Sequence, residues 1–337
     1  MRIGQVFLSR EIYGSERYAI ELANALAERH EVSLLVRRMP ESSPPRQTLR
    51  RWLRPEVPVI EVPRRLPGFY LRRAARTARL QVVHCHHDRA SRQVGRWLSG
   101  VLKVATLHMG YSDRDHQRCD LLICPTEHER QTIRPSFKGQ SRVVANWVRP
   151  HRRLDPAEIA GLRSRIGVGP EQFLVGSVGR LGPDKGFDVL VEAFRRAALP
   201  ESRLVILGEG PERARFGALS DPTVLLPGFR HDARDYYQAL DLFVSASRRE
   251  PFGLVILEAM DAGLPMICTR TSGAEAILAD APVDRVPAGD VEAMAAALRQ
   301  ACATRPGRRT YDLSRFSVAS RTAEIEALYA SLLSPPS

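Results

Sequence analysis

Two carboxylates separated by seven residues, Glu250 and Glu258, bracket the run Glu250-Pro251-Phe252-Gly253-Leu254-Val255-Ile256-Leu257-Glu258. Upstream, Leu242 to Ala246 reads as a buried strand, and Leu254 to Met260 contains no helix breaker before Gly263. The Pro-Phe-Gly turn is therefore expected to join the C-terminal end of a strand to the N-terminus of a helix. Open parallel sheets bind their ligands at such ends, where free N–H groups and the positive end of the helix dipole face a pyrophosphate. Glu258 sits on the helix itself, too far along its axis to share one small group with Glu250. The simplest assignment gives Glu250 to a sugar and Glu258 to ribose hydroxyls. The competing reading is a solvated turn glutamate and an ordinary helical one.

A second constellation lies upstream, in Val175-Gly-Ser-Val-Gly-Arg180-Leu-Gly-Pro-Asp-Lys185-Gly186. The apolar strand Phe173 to Val178 runs into a glycine-punctuated loop, and Arg180 and Lys185 flank the start of a helix expected over Phe187 to Ala198. Lys103, Lys138 and Lys185 are the only lysines in the chain, so most cationic positions are arginine. A planar fork and a compact point charge are complementary tools for a diphosphate and do not substitute for one another. Neither a full dinucleotide-binding glycine pattern nor a Gly-Lys-Ser/Thr P-loop is present.

Taken in order, several segments resemble the retaining, nucleotide-sugar-dependent glycosyltransferases of family 4. They are the Gly-Arg-Leu…Lys-Gly segment, Leu204-Val-Ile-Leu-Gly-Glu-Gly210, Pro227-Gly-Phe229, Leu240 to Ser247, the paired glutamates, Gly263-Leu-Pro265 and Ser272-Gly-Ala-Glu275. The resemblance runs from about Val175 to Ala288. It implies an α/β chain of GT-B fold: two Rossmann-like parallel-sheet domains facing a cleft, with a C-terminal helix crossing back to the first domain. It also implies that Arg180 and Lys185 bind the donor diphosphate and that Glu250 holds the sugar, with the amides of Phe252, Gly253, Leu254 and Val255. Glu258 would hold the ribose. Retention is likewise implied by the resemblance; no carboxylate nucleophile stands out opposite Glu250, so front-face attack with the leaving diphosphate as base is expected.

The N-terminal half matches more loosely. A strand over Ile3 to Leu8 leads through Tyr13-Gly14-Ser15-Glu16 into a helix over Arg17 to Arg29 and a strand over Val32 to Val36. Where the family has a Gly-Gly pair near the donor phosphates, only Gly14 matches; Ser15 takes the second place and is a good N-cap residue. The strand Val101 to Leu107 ends at His108, where the family often has a histidine facing the transferred sugar. An imidazole at a strand end can hydrogen-bond a hydroxyl near neutral pH.

A length of 337 residues with 44% hydrophobic content supports two cores. The expected domains are 1–147, binding the acceptor, 148–313, binding the nucleotide sugar, and 314–337, a helix packing back on the first. The break follows a strand over Ser141 to Ala145, and Phe316 to Leu333 reads as the terminal helix. Pro40 to Pro58, rich in proline and arginine, reads as an irregular loop. No signal-peptide core or bilayer-length apolar run is evident, which places the chain in the cytoplasm. The five cysteines, odd in number and scattered, read as reduced packing residues.

No cofactor and no metal is expected. In His84-Cys85-His86-His87-Asp88, neighbouring side chains alternate between faces and cannot all reach one ion. Asp113-Arg114-Asp115 has the form of an Asp-x-Asp metal motif but lies in the half that the donor motifs do not occupy. An Arg180/Lys185 pair and a helix end can supply the charge stabilisation a divalent ion would give.

Charge is unevenly divided. The net charge of +12 arises in residues 1–150, which carry +13, while the remainder carries −1. The excess is densest at Arg46, Arg50, Arg51, Arg54, Arg64, Arg65, Arg72, Arg73, Arg76 and Arg79, with Leu66, Phe69, Tyr70 and Leu71 interleaved. A basic, partly aromatic helix suits an anionic membrane surface, and an acceptor that is lipid-linked or phosphorylated. The sequence thus suggests hexose transfer in assembly of a lipopolysaccharide core, capsule or similar glycolipid, on the inner face of the cytoplasmic membrane. A nucleic-acid binder would use the same arginines but gives no reason for the paired glutamates, and no nucleic-acid partner is expected. A GT-B epimerase or phosphorylase would share the donor site and remains an alternative.

Overall fold

Alternation of short apolar strands with amphipathic helices produces two all-parallel sheets, each covered by helices on both faces. The computed structural model describes residues 1–279 and 281–334. It divides into two units, one formed by Met1–Trp147 with the chain from Arg315 onward, the other by Val148–Ser314.

The first unit contains β1 (Arg2–Phe7), β2 (Glu31–Arg37), β3 (Val59–Val62), β4 (Val82–Cys85), β5 (Leu102–Thr106), β6 (Leu121–Cys124) and β7 (Gln140–Val143), in the order β3-β2-β1-β4-β5-β6-β7. Period-two alternation splits these strands between two cores. Ile3, Leu34 and Val104 pack with Tyr18 and Leu22 of the Gly14–Leu26 helix. Val6, Leu35 and Ala105 pack on the opposite face with Leu71 and Val94. The Val318–Leu333 helix belongs to this unit, burying Ile325 and Tyr329 in the first of these cores. Tyr329 Oη lies 2.6 Å from His84 Nδ1, so a buried hydrogen bond fixes where the helix lands.

The second unit contains β8 (Phe173–Val178), β9 (Ser202–Leu207), β10 (Val224–Gly228), β11 (Leu242–Ser245), β12 (Met266–Thr269) and β13 (Asp284–Val286), ordered β10-β9-β8-β11-β12-β13. In each sheet the winding direction reverses once, between β1 and β4 and between β8 and β11. Loops leaving the C-terminal ends of those strands part there and leave a crevice for ligand.

One expectation needs correction. The Pro40 to Pro58 stretch contains a helix, Pro44–Trp52. Its prolines occupy the first turn, where their missing N–H groups cost nothing, and Leu49 anchors it in the core. The arginines from 46 to 79 fall into two groups. Arg46 and Arg50 pair with Glu41, and Arg54 with Glu28. Arg72, Arg73, Arg76 and Arg79, on and just after the Pro67–Thr77 helix, form no ion pair among the described residues.

Candidate active site

The loop after β8 is held in place by glycine-mediated backbone contact. Gly208 follows β9 at φ 154°, and a Cβ there would lie 1.8 Å from the Gly179 carbonyl oxygen. Without side chains in the way, Gly179 N–H donates to Leu207 O at 3.0 Å and Leu181 N–H to Glu209 O at 2.9 Å. The chain then forms a short 3-10 turn, Pro183–Lys185, and enters the Phe187–Ala197 helix through Gly186. Gly186 has φ 62°, and a Cβ on it would meet the Ala246 carbonyl at 2.1 Å. This close approach sets Lys185 beside the end of β11.

There Lys185 Nζ lies 2.5 Å from Glu250 Oε2, and Ser247 Oγ donates to the same oxygen at 3.3 Å. Glu250 is buried at 7% exposure, so its charge is compensated by a lysine and a hydroxyl instead of bulk water. Arg180 is exposed and donates to Asp184 Oδ1 at 2.7 Å. The two cations therefore differ in exposure: the lysine is half-buried against Glu250, while the arginine is exposed and paired with Asp184.

The glutamate turn has its own backstop. Gly273 N–H donates to Glu250 O at 2.9 Å, Ser272 Oγ reaches the same carbonyl at 3.4 Å, and a Cβ on Gly273 would lie 2.1 Å from Phe252 O. The Ser272-Gly273 pair is thus explained by its contact with the turn. Gly253, at φ 99°, starts the Leu254–Asp261 helix, whose first N–H groups have no acceptor within the helix. Phe252 is buried, and Leu254 and Val255 are half-buried. Glu258 is half-buried; Tyr237 Oη donates to it at 3.1 Å and Arg234 Nε lies 3.9 Å away. Lys185 and Ser247 thus meet Glu250, while Tyr237 and Arg234 meet Glu258.

Ser247, Tyr237, Arg234 and Arg248 also support this constellation, though no motif role in the sequence singles them out. Arg248 forks onto Asp188 at 2.7 and 2.8 Å, and its N–H donates to Asp184 O at 2.8 Å. Those hydrogen bonds hold the Asp188 carboxyl below its ordinary range. They tie the start of the Phe187–Ala197 helix to the loop after β11. The only signal available in advance was the position of Arg248, two residues before Glu250.

In the first unit Gly14 is the first residue of its helix. Ser15 lies inside the first turn and is not the cap. Glu16 supplies the local bond, accepting from Tyr13 N–H at 2.9 Å and from Ser15 Oγ at 3.1 Å. Glu16 is buried with Oε1 2.6 Å from His87 Nε2. Burial raises its pKa, but hydrogen bonds and charge from His87, with smaller contributions from Ser9 and the Tyr13 backbone, outweigh this and bring it to about 2.

His108 follows β5 and is half-buried. Its Nε2 lies 3.4 Å from His86 Nδ1, and its ring meets Tyr18 edge-on at 5.1 Å. With Gln5 assigned its carbonyl oxygen toward His86 Nε2, at 2.6 Å, His86 donates there and accepts at Nδ1 from His108. The remaining nitrogen of His108, Nδ1, is then an acceptor suited to a hydroxyl. Burial and then the neighbouring His87 push His108 down to about 3, so the ring is neutral near pH 7.

Of the remaining candidates, His84 and His86 share one face and Cys85 packs in the opposite core. Among the described residues no group of three or more His, Cys, Asp or Glu side chains is arranged to hold a metal. Asp113 accepts from Tyr111, Ser136 and Arg134, while Asp115 meets Ser112 and Arg92. Both carboxylates of the Asp-x-Asp run are thus committed to separate protein donors.

Residues 12–152 match the model described as Glycosyltransferase Family 4, and residues 172–304 match that of Glycosyl transferases group 1. The chain belongs to the family 4 glycosyltransferases. It is 29% identical over 304 residues to the lipopolysaccharide core biosynthesis glycosyltransferase LpsE of Rhizobium meliloti, covering 85% of each chain. It is 26% identical to alpha-monoglucosyldiacylglycerol synthase of Acholeplasma laidlawii, covering 63% of this chain and 66% of that one. The fold of this glycosyltransferase matches that of Anabaena HepE, solved with UDP and glucose, at a TM-score of 0.83 and 20% identity over 98% of this chain and all of the other. The enzyme thus has the GT-B fold.

Proposed function

We propose that this glycosyltransferase moves a hexose from a nucleotide-diphosphate sugar to an acceptor hydroxyl with retention of configuration, in assembly of a lipopolysaccharide core or similar cell-surface glycolipid. The observation that carries the donor assignment is the Lys185 to Glu250 contact at the switch point between β8 and β11. It joins a phosphate-type cation to a sugar-type carboxylate within one constellation, beside a helix N-terminus. In this reading Arg180 and Lys185 stabilise charge developing on the leaving diphosphate. Glu250 and the Phe252 to Val255 amides hold the sugar, and Glu258 holds the ribose. His108 accepts a hydrogen bond from a sugar hydroxyl, and the leaving phosphate oxygen takes the acceptor's proton. No metal or cofactor is required by this scheme.

The glycolipid part of the reading draws on the lipopolysaccharide and glycolipid relatives and on the basic first unit. Arg72, Arg76, Arg79, Arg2 and Lys103 line a cavity of about 890 Å³ whose apolar walls include Leu80, Leu98 and Leu332. Leu66, Phe69, Tyr70 and Trp97 are exposed nearby along the same pair of helices, Pro67–Thr77 and Asp88–Trp97. Cations beside exposed aromatic rings suit an anionic membrane surface, which would place the enzyme on the inner face of the cytoplasmic membrane. Among the described residues no helix is long and apolar enough to cross a bilayer.

A thermal-shift screen of nucleotide sugars tests the central reading. The cognate donor raises the apparent melting temperature by mass action, and Lys185→Ala removes that shift. Donor turnover that needs no acceptor would instead favour an epimerase, and strict dependence on phosphate would favour a phosphorylase.

A further inference from the structure

Four arginines converge at the C-terminal end of the first sheet. Arg64 lies just beyond β3, Arg37 ends β2, Arg10 follows β1, and Arg89 is the second residue of the helix after β4. These strands are consecutive in the sheet, in the order β3-β2-β1-β4, with Arg37 opposite Val62 and Val6 opposite Cys85 in register. At roughly 4.8 Å between neighbours, the four strand ends span about 15 Å. None of the four arginines forms an ion pair among the described residues.

Apart from Glu11, exposed and next to Arg10 in the chain, the nearby carboxylates have other partners. Glu61 meets Arg38 and Arg46, Glu16 meets His87, and Asp88 lies 3.6 Å from His116. Burial, and then the charges of Arg10, Arg89 and Arg64, push the Arg37 guanidinium below its ordinary value. Such a concentration of like charge is held at a cost to folding, and an oxyanion ligand relieves it.

We propose that this arc is an oxyanion site that receives a phosphate monoester carried by the acceptor. The inference rests on the reading of the first unit as the acceptor-binding one. Arginine forks match phosphate geometry bidentately, and several converging forks suit a dianion better than a single carboxylate. The arc also stands apart from the basic cavity described above. Arg2 opens β1 and Lys103 lies near the start of β5, so that cavity is at the N-terminal strand ends, whereas the arc is at the ends where ligands of such sheets bind. A membrane-facing role therefore does not account for Arg10, Arg37, Arg64 and Arg89.

The test uses glucose 6-phosphate as the charged probe and glucose as its uncharged control, in calorimetric titration and thermal shift at low salt. Glucose 6-phosphate binds the protein and raises its melting temperature, whereas glucose does neither. Arg37→Gln/Arg64→Gln weakens the probe about tenfold or more, as loss of charge-assisted hydrogen bonds requires, while the nucleotide-sugar shift persists. Lys185→Ala leaves probe binding intact. Without ligand, Arg37→Gln melts above wild type at low salt, and added salt erases the difference. Absence of probe binding, unchanged affinity in the double variant, or loss of binding in Lys185→Ala overturns the proposal. A wild-type protein that responds to no nucleotide sugar would instead sink the donor reading, so the two failures are distinguishable.

Discussion

Lys185 Nζ lies 2.5 Å from Glu250 Oε2 and joins the loop after β8 to the turn after β11. The pair settles a local charge balance when no donor is bound, since Glu250 is buried and Lys185 is its cationic partner. A diphosphate arriving beside Lys185 offers the ammonium a second anion, so the lysine can serve both ends of the donor. Lys185→Ala and Arg180→Ala should each lower turnover at saturating donor on the order of a hundredfold or more, as for removal of an electrostatic stabiliser of a charged leaving group. Lys185→Ala should also melt lower, because it strands a buried carboxylate, whereas the exposed Arg180→Ala should not. Near-wild-type turnover in either variant places that residue outside the site. Activity should persist in EDTA; loss restored by Mn²⁺ would remove the metal-free scheme.

The two glutamates should separate by ligand. Glu258, supported by Tyr237, is assigned to ribose, so Glu258→Ala should weaken the sugar nucleotide and the free nucleoside diphosphate alike. Glu250→Ala should penalise the sugar-bearing donor more than the bare diphosphate. Equal losses for both ligands in both variants would show that the carboxylates only support the fold.

Much of this arrangement was legible in advance because its causes are local. Gly186 and Gly253 sit where positive φ is needed, and each stands beside the charged or apolar run it positions. Strand-to-helix transitions at Val178 and Ser245 followed from hydrophobic pattern and breakers alone. What escaped was non-local. Arg248 meets Asp188 across 60 positions of chain, and Glu16 meets His87 across 71, so neither partner marks the other in sequence. The Pro44–Trp52 helix escaped for a different reason: proline density reads as a loop unless the prolines are recognised as first-turn residues. Arg37 likewise looked like one arginine among many until the sheet order set it beside Arg10 and Arg64.

His108 should act as a neutral imidazole. Its pKa near 3 means that the neutral form persists throughout the range from pH 5 to 8. His108→Ala should lower turnover, and the wild-type rate should show no inflection near 6.5 attributable to this ring. A histidine inflection near 6.5 that disappears in His108→Ala would overturn the neutral assignment.

Glu16 makes an acid-stability prediction. Its folded pKa of about 2 is below the ordinary glutamate value of 4.5, so the stabilising effect is fully present above 4.5 and is lost as pH falls through 2. A shift of that size corresponds to about 3 kcal/mol at neutral pH, as an order of magnitude. Melting temperature measured from pH 7 down to 2 should fall more steeply below 4.5 in wild type than in Glu16→Gln, which has already lost the ion pair with His87. Parallel curves would mean that the pair contributes nothing to acid stability.

The unpaired arginines make the last prediction. Arg72, Arg73, Arg76 and Arg79 have no carboxylate partner among the described residues, unlike Arg46 and Arg50 on the preceding helix and Arg54 just after it. Near an anionic bilayer each cation contributes about 1 kcal/mol, so changing all four to glutamine should release the enzyme from anionic vesicles. Changing Arg46, Arg50 and Arg54 should do far less, since their charges are already answered by glutamates. Donor binding should be unaffected by either set, because the donor residues lie in the other unit. Added salt should mimic the first set, as exposed charges are screened, whereas insertion through Leu66 and Phe69 alone would resist it. Unchanged vesicle binding in the Arg72 to Arg79 variant would leave those arginines as solvated surface and make a water-soluble acceptor the better assignment.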